Sequence, residues 1–324
     1  MFLTKTRGWA ARLIVVSIAG VLFASACAGS CFPGEDGGGG PLSYYCFSTP
    51  LPASGFCETQ VFGAGKFVAE PVNALFCLIA VALGISALLR PGRTSFLMQS
   101  LYSLLIGWGG FAALYHVGLT NGMYRMMDVA ISFLQAYVLW MLICSVQICK
   151  RRAVSRTEAM RGPGRLSALF AVLFTLYPAV VHVAGESEAN PWVAWLVFDL
   201  LWFAIIGVLI RLYMLRKVRS DLTDPRGFRL VWTAVLYCAL AYGAWSVDKF
   251  VCSAETPLLA YLLLHGWWHC FMAFSFLSLI GLVRYVTACA YGCTPRLTPL
   301  LGPVPTGVYF VDWLSESSPS DMRS

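Results

Sequence analysis

The sequence predicts an all-α, polytopic membrane protein, a bundle of seven transmembrane helices preceded by a signal peptide or signal anchor. Only 12% of the 324 residues are charged and 58% are hydrophobic, whereas a soluble domain carries about 25% charged residues. Several apolar runs exceed ~18 residues, which is enough for a helix to cross ~30 Å of hydrocarbon. The basic residues behind the net charge of +7 cluster in short loops between these runs. That distribution indicates membrane topology and not a nucleic-acid surface.

Residues 1–26 have the pattern of a secretory signal peptide. Basic residues precede the apolar run 13–23, and the small residues 24–26 follow it. An uncleaved anchor helix would have the same pattern, so both interpretations stay open. Residues 27–65 are rich in Gly, Pro and Cys, and we expect them to form an extracytoplasmic segment.

Seven apolar segments then make up the predicted helical domain, residues 66–284. They lie at about 67–89, 95–117, 124–146, 166–184, 192–215, 230–248 and 258–283. Residues 285–324 contain several prolines. We expect this tail to be cytoplasmic and largely disordered.

The loop charges predict the orientation of the bundle. Arg and Lys are concentrated after the first, third, fifth and seventh segments, while the loops on the other side contain Lys249 as their one basic residue. The positive-inside rule therefore places the N-terminal segment outside the cytoplasm and the tail in the cytoplasm. The sequence does not distinguish the endoplasmic reticulum, the Golgi or the plasma membrane, and it predicts no oligomeric state.

Four histidines and four carboxylates fall in one layer near the outer ends of the predicted helices. Ionisable groups inside a bilayer are costly, so they are candidates for function. They are His116, His182, His265, His269, Glu70, Asp128, Asp199 and Asp248.

Three of the histidines have the pattern of a zinc site. His265 and His269 are four residues apart, so both imidazoles lie on one helix face. His116 is the natural third ligand, and three protein ligands leave a fourth position for water, as in catalytic zinc sites. Asp128 follows His116 across a tight turn and is placed to take a proton from that water.

The remaining polar candidates have less specific interpretations. Asp248 either hydrogen-bonds a ligand histidine from behind or pairs with Lys249. We expect His182 to hydrogen-bond a neighbouring helix. Asp199 either joins two helices or faces a pocket.

The cysteines fall into two groups, those on the predicted extracytoplasmic side and those within the predicted helical segments. Cys57, just before the first segment, and Cys252, in the last outer loop, face the oxidising side, where disulfides persist. We expect a bond between them that ties the N-terminal segment to the bundle. The cysteines within the helical segments are expected to be packing residues; they are Cys77, Cys144, Cys238 and Cys270.

In the histidines, carboxylates and outer cysteines named above, the chain resembles the alkaline ceramidases. They belong to a superfamily of seven-helix membrane hydrolases that also includes the adiponectin-receptor and Per1-like proteins. The resemblance covers roughly residues 56–284. Three blocks carry it: Phe56-Cys57-Glu58 with Glu70-Pro71-Val72-Asn73, then Tyr115-His116 with Asp128, then Trp245-Ser246-Val247-Asp248 with Cys252 and His265-Gly266-Trp267-Trp268-His269.

The resemblance implies a zinc-dependent amidase that hydrolyses ceramide, or a related N-acyl sphingoid lipid, to a sphingoid base and a fatty acid. The three histidines would hold the zinc, and Asp128 would transfer the proton. It also implies a calcium site formed by Glu58, Glu70 and the backbone carbonyl of Phe56, since calcium prefers oxygen ligands.

Two alternatives to a ceramidase stay open, and the chain departs from the family pattern at one site position. The family has a serine four residues before the first histidine, thought to stabilise the developing oxyanion, and this chain has Ala112 there. A Per1-like lipid-remodelling hydrolase is one alternative, which the signal peptide and the Cys-bearing outer segment favour. A lipid-binding, receptor-like protein with the same metal site and little turnover is the other, and the missing serine motivates it. A transporter is not favoured, because the sequence has no paired broken helices and no half-to-half repeat.

Overall fold

A computed structural model describes residues 70–90, 96–118, 121–151, 191–218, 225–250, 264–290, 294–300 and 308–314. Six long helices account for most of them. These are α1 (Pro71–Leu89), α2 (Phe96–Gly118), α3 (Asn121–Arg151), α4 (Pro191–Val218), α5 (Pro225–Phe250) and α6 (Leu264–Ala290). Two short strands follow, β1 (Thr294–Pro299) and β2 (Tyr309–Leu314).

The helices confirm the predicted helical class of the protein. Each of the six coincides with one predicted apolar segment, and several run a turn or more beyond it into the flanking loops. The predicted segment 166–184 and the N-terminal signal or anchor lie outside the described residues. The count of seven spans therefore stays a prediction.

Four of the described helical stretches are long and apolar enough to cross a membrane; they are Pro71–Leu89, Met126–Gln147, Gly227–Asp248 and Leu264–Cys289. Even the shortest, at 19 residues, spans roughly 28 Å at 1.5 Å per residue. Their exposed faces carry large apolar side chains such as Leu75 (63% exposed) and Trp232 (63%). Such faces suit hydrocarbon far better than water, so the chain is a membrane protein.

The described residues fall into two compact units, and each is considered by itself. The first contains α1 up to Ile85, α2, the beginning of α3, the end of α5 and the beginning of α6. Within it, glycines let α1 and α2 approach closely. A Cβ on Gly109 would lie 2.8 Å from Cβ of Ala80 and 2.9 Å from the carbonyl oxygen of Cys77. Small residues at helix contacts have this role in membrane bundles, where packing must hold helices together without a hydrophobic driving force.

The second unit contains the rest of α3, α4, most of α5, the rest of α6 and the two strands. Aromatic contacts link its helices, for example Trp202 with Phe276, whose ring centroids are 5.4 Å apart. The hydroxyl of Ser275 donates a hydrogen bond to the carbonyl oxygen of Ala234 at 2.8 Å. This side chain thus links α6 to a backbone group of α5.

The strands correct the expectation of a largely disordered tail. Helix α6 continues to Ala290, and β1 pairs antiparallel with β2 in a register from Thr294↔Leu314 to Pro299↔Tyr309. Residues 308–311 are aromatic or β-branched, which favours a strand. Phe310 is buried, and the guanidinium of Arg90 lies 3.8 Å from its ring centroid. The prediction was wrong for these residues because it weighed the prolines of the tail above this short apolar run.

Candidate metal and catalytic site

Helix ends bring the predicted site residues together in the first unit. Glu70 immediately precedes α1, His116 is near the end of α2, and His265 and His269 are in the first two turns of α6. The backbone N–H of Glu70 donates to the carbonyl oxygen of His116 at 2.9 Å, which joins the start of α1 to the end of α2. Gly266 lies against Phe76 of α1, where a Cβ would come within 2.9 Å of the ring. The chain therefore sets α6 close to α1 at the level of its two histidines.

The three predicted zinc ligands lie side by side. Their ring centroids are 5.0 Å apart for His116 and His269, 5.1 Å for His116 and His265, and 4.9 Å for His265 and His269. All three side chains are buried. Imidazoles bound tetrahedrally to one zinc ion at ~2.0–2.1 Å would have ring centroids roughly 5 Å apart. The spacing of the rings is thus compatible with a zinc ion, while the ligand atoms that lie within 4.8 Å of one another are those of His116, His269 and Cys77, and His265 is not in that group.

Glu70 orients the first of these histidines. Oε2 of its carboxylate lies 2.5 Å from Nδ1 of His116, and the side-chain amide of Asn73 donates to the same oxygen at 3.2 Å. A carboxylate accepts hydrogen bonds, so Nδ1 of His116 carries the proton and the lone pair of its neutral ring is on Nε2. This is the usual way in which a protein fixes the tautomer of a metal-binding histidine.

The lone pair on Nε2 of His116 points at the second histidine. Nε2 of His269 lies 2.9 Å away, and in the neutral pair this nitrogen donates the hydrogen bond. Nδ1 of His269 is then left as a buried acceptor with no hydrogen-bond partner among the residues that the structure describes. A buried imidazole with an unsatisfied nitrogen is costly to fold, which is consistent with a ligand that this pair binds.

His265 has its own carboxylate neighbour. Its Nδ1 lies 3.7 Å from Oδ2 of Asp248, near the end of α5, and both side chains are buried. This separation is longer than a hydrogen bond. The structure thus brings Asp248 behind a predicted ligand histidine, as one of its two sequence interpretations requires.

Aromatic rings pack against two of the three histidines. Trp268 stacks on His265 with ring centroids 5.5 Å apart, and Trp108 lies 5.9 Å from His269. Trp108 and Trp268 also meet edge to face at 6.4 Å. Electrostatic interactions are stronger in such a low-dielectric surrounding than they are in water.

Two tyrosines connect Asp128 to His116 by a chain of contacts. The hydroxyl of Tyr124 donates a hydrogen bond to the Asp128 carboxylate, one turn further along α3. The ring of Tyr124 lies 5.4 Å from that of Tyr115, which lies 4.9 Å from the ring of His116. Through these contacts, the beginning of α3, which contains Asp128, packs against the end of α2, which contains His116.

Sequence reasoning missed Cys77 as a site residue. Its Sγ and one ring nitrogen each of His116 and His269 lie within 4.8 Å of one another, and all three residues are buried. Cys77 is four residues after Asn73 in α1 and seven after Glu70, which immediately precedes that helix, so the three follow one helix face. That spacing was a signal in the sequence for the shared face, although it does not give the distance to the histidines of α2 and α6.

Several predicted site residues lie outside the part of the chain that the structure describes. They are Phe56, Cys57, Glu58, His182 and Cys252. The calcium site and the Cys57–Cys252 disulfide therefore stay predictions. Of the calcium ligands, Glu70 is described, and its Oε2 is engaged by His116 and Asn73. Asp199 is half-buried in α4.

Comparison with known proteins identifies the family. No curated protein gives a significant match to the chain. The sequence model of the ceramidase family matches residues 53–298. The match covers well over half of the 324 residues and includes each of the histidines and carboxylates described above. The chain therefore belongs to the ceramidase family.

Proposed function

We propose that this protein is a zinc-dependent intramembrane amidase that hydrolyses ceramide, or a related N-acyl sphingoid lipid, to a sphingoid base and a fatty acid. Membership of the ceramidase family supports ceramide hydrolysis in general. The observation that supports zinc dependence is a buried cluster of three imidazoles, with ring centroids 4.9–5.1 Å apart, in which ring nitrogens of His116 and His269 lie close enough to share a metal ion.

His116, His265 and His269 would hold the zinc ion. Glu70 fixes the tautomer of His116 through a hydrogen bond, and Asp248 lies behind His265 at 3.7 Å, beyond hydrogen-bond distance. When bound, zinc polarises the amide carbonyl and makes water acidic enough to attack near neutral pH.

Asp128 is the proposed general base and acid. Hydrolysis adds the oxygen of water to the amide carbon, breaks the C–N bond and delivers a proton to the departing nitrogen. A carboxylate near the reacting amide can take the proton from the attacking water and pass it to that nitrogen. The hydrogen bond from Tyr124 holds the carboxylate in place for both transfers.

The membrane setting suits a substrate that stays in the bilayer. Four described helices are long and apolar enough to cross it, and the site lies at the ends of such helices. We propose the full bundle to have seven spans, with the N-terminal segment outside and the tail in the cytoplasm, as the loop charges favour. Calcium bound by Phe56, Glu58 and Glu70, and the Cys57–Cys252 disulfide, would hold the N-terminal segment near the site.

One observation favours a second candidate, a lipid-binding protein with little turnover. Ala112 lies one turn before His116 and is fully buried, where the resemblance implies a serine that donates to the oxyanion. Loss of one oxyanion donor lowers turnover by roughly 100-fold to 1,000-fold. The protein would then bind ceramide at the same site and release little product. The family match favours the ceramidases over the Per1-like hydrolases, and comparison of ceramide with a glycosylphosphatidylinositol lipid as substrates separates these two.

The test is zinc content measured together with ceramide hydrolysis on gently purified full-length protein. We expect about one zinc per chain, and release of sphingoid base that is lost in His269→Ala. Saturable ceramide binding without metal-dependent release would favour the lipid-binding protein. Absence of zinc from active protein would contradict the proposal.

A further inference from the structure

Amide hydrolysis, the reaction proposed above, is helped by a hydrogen-bond donor placed at the carbonyl oxygen. When the oxygen of water adds to the carbonyl carbon, an electron pair of the C=O bond moves to that oxygen, which becomes negatively charged. Ala112, one turn before His116, has no hydroxyl to donate to it. Such a donor would have to come from another side chain that lies between His116 and Asp128.

Tyr115 occupies this position in the first unit. Its ring centroid is 4.9 Å from that of His116 and 5.4 Å from that of Tyr124, whose hydroxyl donates to Asp128. The carboxylate of Asp128 also acts electrostatically on Tyr115. Tyr115 thus lies between a proposed zinc ligand and the proposed proton-transfer residue, where the amide would react.

The hydroxyl of Tyr115 forms no hydrogen bond with the residues that the structure describes. The residue is nevertheless only 3% exposed. A buried tyrosine hydroxyl usually has a hydrogen-bond partner, and that of Tyr124 has one in Asp128. The unused donor at position 115 therefore indicates a partner that comes with the substrate.

We propose that Tyr115 is a catalytic residue whose hydroxyl donates a hydrogen bond to the oxyanion of the reacting amide. The inference rests on the proposed amidase and adds one residue to its chemistry. No proton is transferred in this contact. The electron pair on the oxygen re-forms the C=O bond as the C–N bond breaks, and the nitrogen leaves with the proton that Asp128 took from water. The hydroxyl contacts the substrate and not the metal, so the position that water needs on the metal stays open.

A packing role is the alternative, because an aromatic ring fills space whether or not its hydroxyl is used. Tyr115→Phe keeps the ring and removes only the hydroxyl, so it separates the two roles. Tyr102 provides the matched control. It is buried in the same helix, 13 residues earlier, which is roughly 20 Å along the axis at 1.5 Å per residue.

The experiment measures steady-state hydrolysis of ceramide by the full-length protein in detergent, together with its zinc content. Tyr115→Phe is expected to lower kcat by roughly 100-fold to 1,000-fold, as for loss of one oxyanion donor, with little change in KM or zinc content. Tyr102→Phe is expected to keep the wild-type kcat. A wild-type kcat in Tyr115→Phe, or loss of its zinc, would overturn the inference and leave the proposed function intact. Absence of ceramide hydrolysis by wild type would overturn both.

A serine at position 112 tests whether Tyr115 acts on the oxyanion or through Asp128. Positions 112 and 115 are three residues apart and are neighbours on one helix face, so a hydroxyl at position 112 can serve the same oxygen. Ala112→Ser is therefore expected to raise kcat by a larger factor in Tyr115→Phe than in wild type, since the variant lacks the first donor. Equal factors in the two backgrounds would overturn the inference.

A further variant keeps the hydroxyl, in case Tyr115→Phe does not fold. Incorporation of 3-fluorotyrosine in place of Tyr115 makes the hydroxyl more acidic, so it donates a stronger hydrogen bond to the oxyanion. We expect kcat to rise above that of wild type with zinc content unchanged. An unchanged or lower kcat would overturn the assignment of Tyr115.

Discussion

Nδ1 of His116 donates a hydrogen bond to Oε2 of Glu70 at 2.5 Å, and both side chains are completely buried. The carboxylate has no access to water, so it accepts this hydrogen bond in a low-dielectric surrounding, where charge-assisted bonds are strong. It holds the imidazole in the tautomer whose Nε2 faces His269. Glu70 is therefore a positioning residue for the proposed metal site.

The first prediction concerns this hydrogen bond. Glu70→Gln keeps the size of the side chain and removes its charge, so the orientation of His116 weakens. We expect zinc affinity to fall by roughly 10-fold to 100-fold, as for other residues that orient a metal ligand. The measurement is a competition titration with a zinc chelator in calcium-free buffer, so that any role of Glu70 in a calcium site does not contribute.

Asn73→Ala is the control for Glu70→Gln. It removes the 3.2 Å hydrogen bond to Glu70 but leaves the carboxylate beside His116, so we expect a smaller loss of affinity. Equal zinc affinity of Glu70→Gln and wild type in calcium-free buffer would show that Glu70 does not position His116.

The second prediction compares the four histidines of the chain. Replacing His116, His265 or His269 by Ala removes a proposed ligand, so each variant should lose stoichiometric zinc. His182→Ala should keep it, because that histidine is expected to bond a neighbouring helix. The measurement is the zinc content per chain of the four purified variants. Retention of zinc by His265→Ala would remove that residue from the ligand set.

The third prediction separates the proton-transfer residue from the metal ligands. Asp128→Asn keeps the shape of the carboxylate and cannot take a proton, so kcat should fall by roughly 100-fold to 10,000-fold. Zinc content should not change. Tyr124→Phe removes only the hydrogen bond that holds Asp128, and a smaller decrease in kcat is expected. If Asp128→Asn turns over ceramide at the wild-type rate, another group moves the proton.

The fourth prediction tests the packing that positions the site. A Cβ on Gly109 meets Ala80 at 2.8 Å and the Cys77 carbonyl oxygen at 2.9 Å, so Gly109→Ala must push α1 and α2 apart. We expect it to lower the free energy of unfolding by roughly 1–3 kcal/mol and to weaken zinc binding. Both are measured in detergent by thermal unfolding and by chelator competition.

Gly110→Ala is a matched control for that variant. Nothing lies within 4 Å of a Cβ at this position, and alanine favours the helix by up to ~1 kcal/mol. Stability equal to or above wild type is expected. If Gly109→Ala behaved like Gly110→Ala, the close contact of α1 with α2 would not be needed for the site.

The fifth prediction concerns Ala112. Ala112→Ser places a hydroxyl one helical turn before His116, where the resemblance implies an oxyanion donor. We expect kcat for ceramide to rise by roughly 10-fold or more with little change in KM, because such a donor acts in the transition state. Steady-state assays of the two proteins measure this. An unchanged or lower kcat would mean that the oxyanion is stabilised by other groups in this chain.

The grouping of the three histidines could be predicted because it follows largely from a short-range sequence pattern. The spacing of His265 and His269 fixes one helix face, and His116 completes a familiar zinc set. The helices themselves follow from runs of apolar residues, and the structure places helices at six of the predicted segments.

Two contacts could not be predicted in the same way: that of Cys77 with the histidines and that of Glu70 with His116. Both depend on how closely α1 approaches α2, which is decided at Gly109 by a contact between residues far apart in the sequence. The strand pair β1–β2 was missed for a related reason. The pair is stabilised by burial of Phe310 and Val311, two residue types that favour strands. The sequence prediction rested on the prolines of the tail and did not include this burial.

The central claim is tested most directly by ceramide hydrolysis in one preparation before zinc removal, after zinc removal and after zinc is added back. Zinc is proposed to supply the polarising charge for the reaction. We therefore expect release of sphingoid base to stop on chelation and to return with one equivalent of zinc. Hydrolysis that continues at an unchanged rate in metal-free protein would contradict the account.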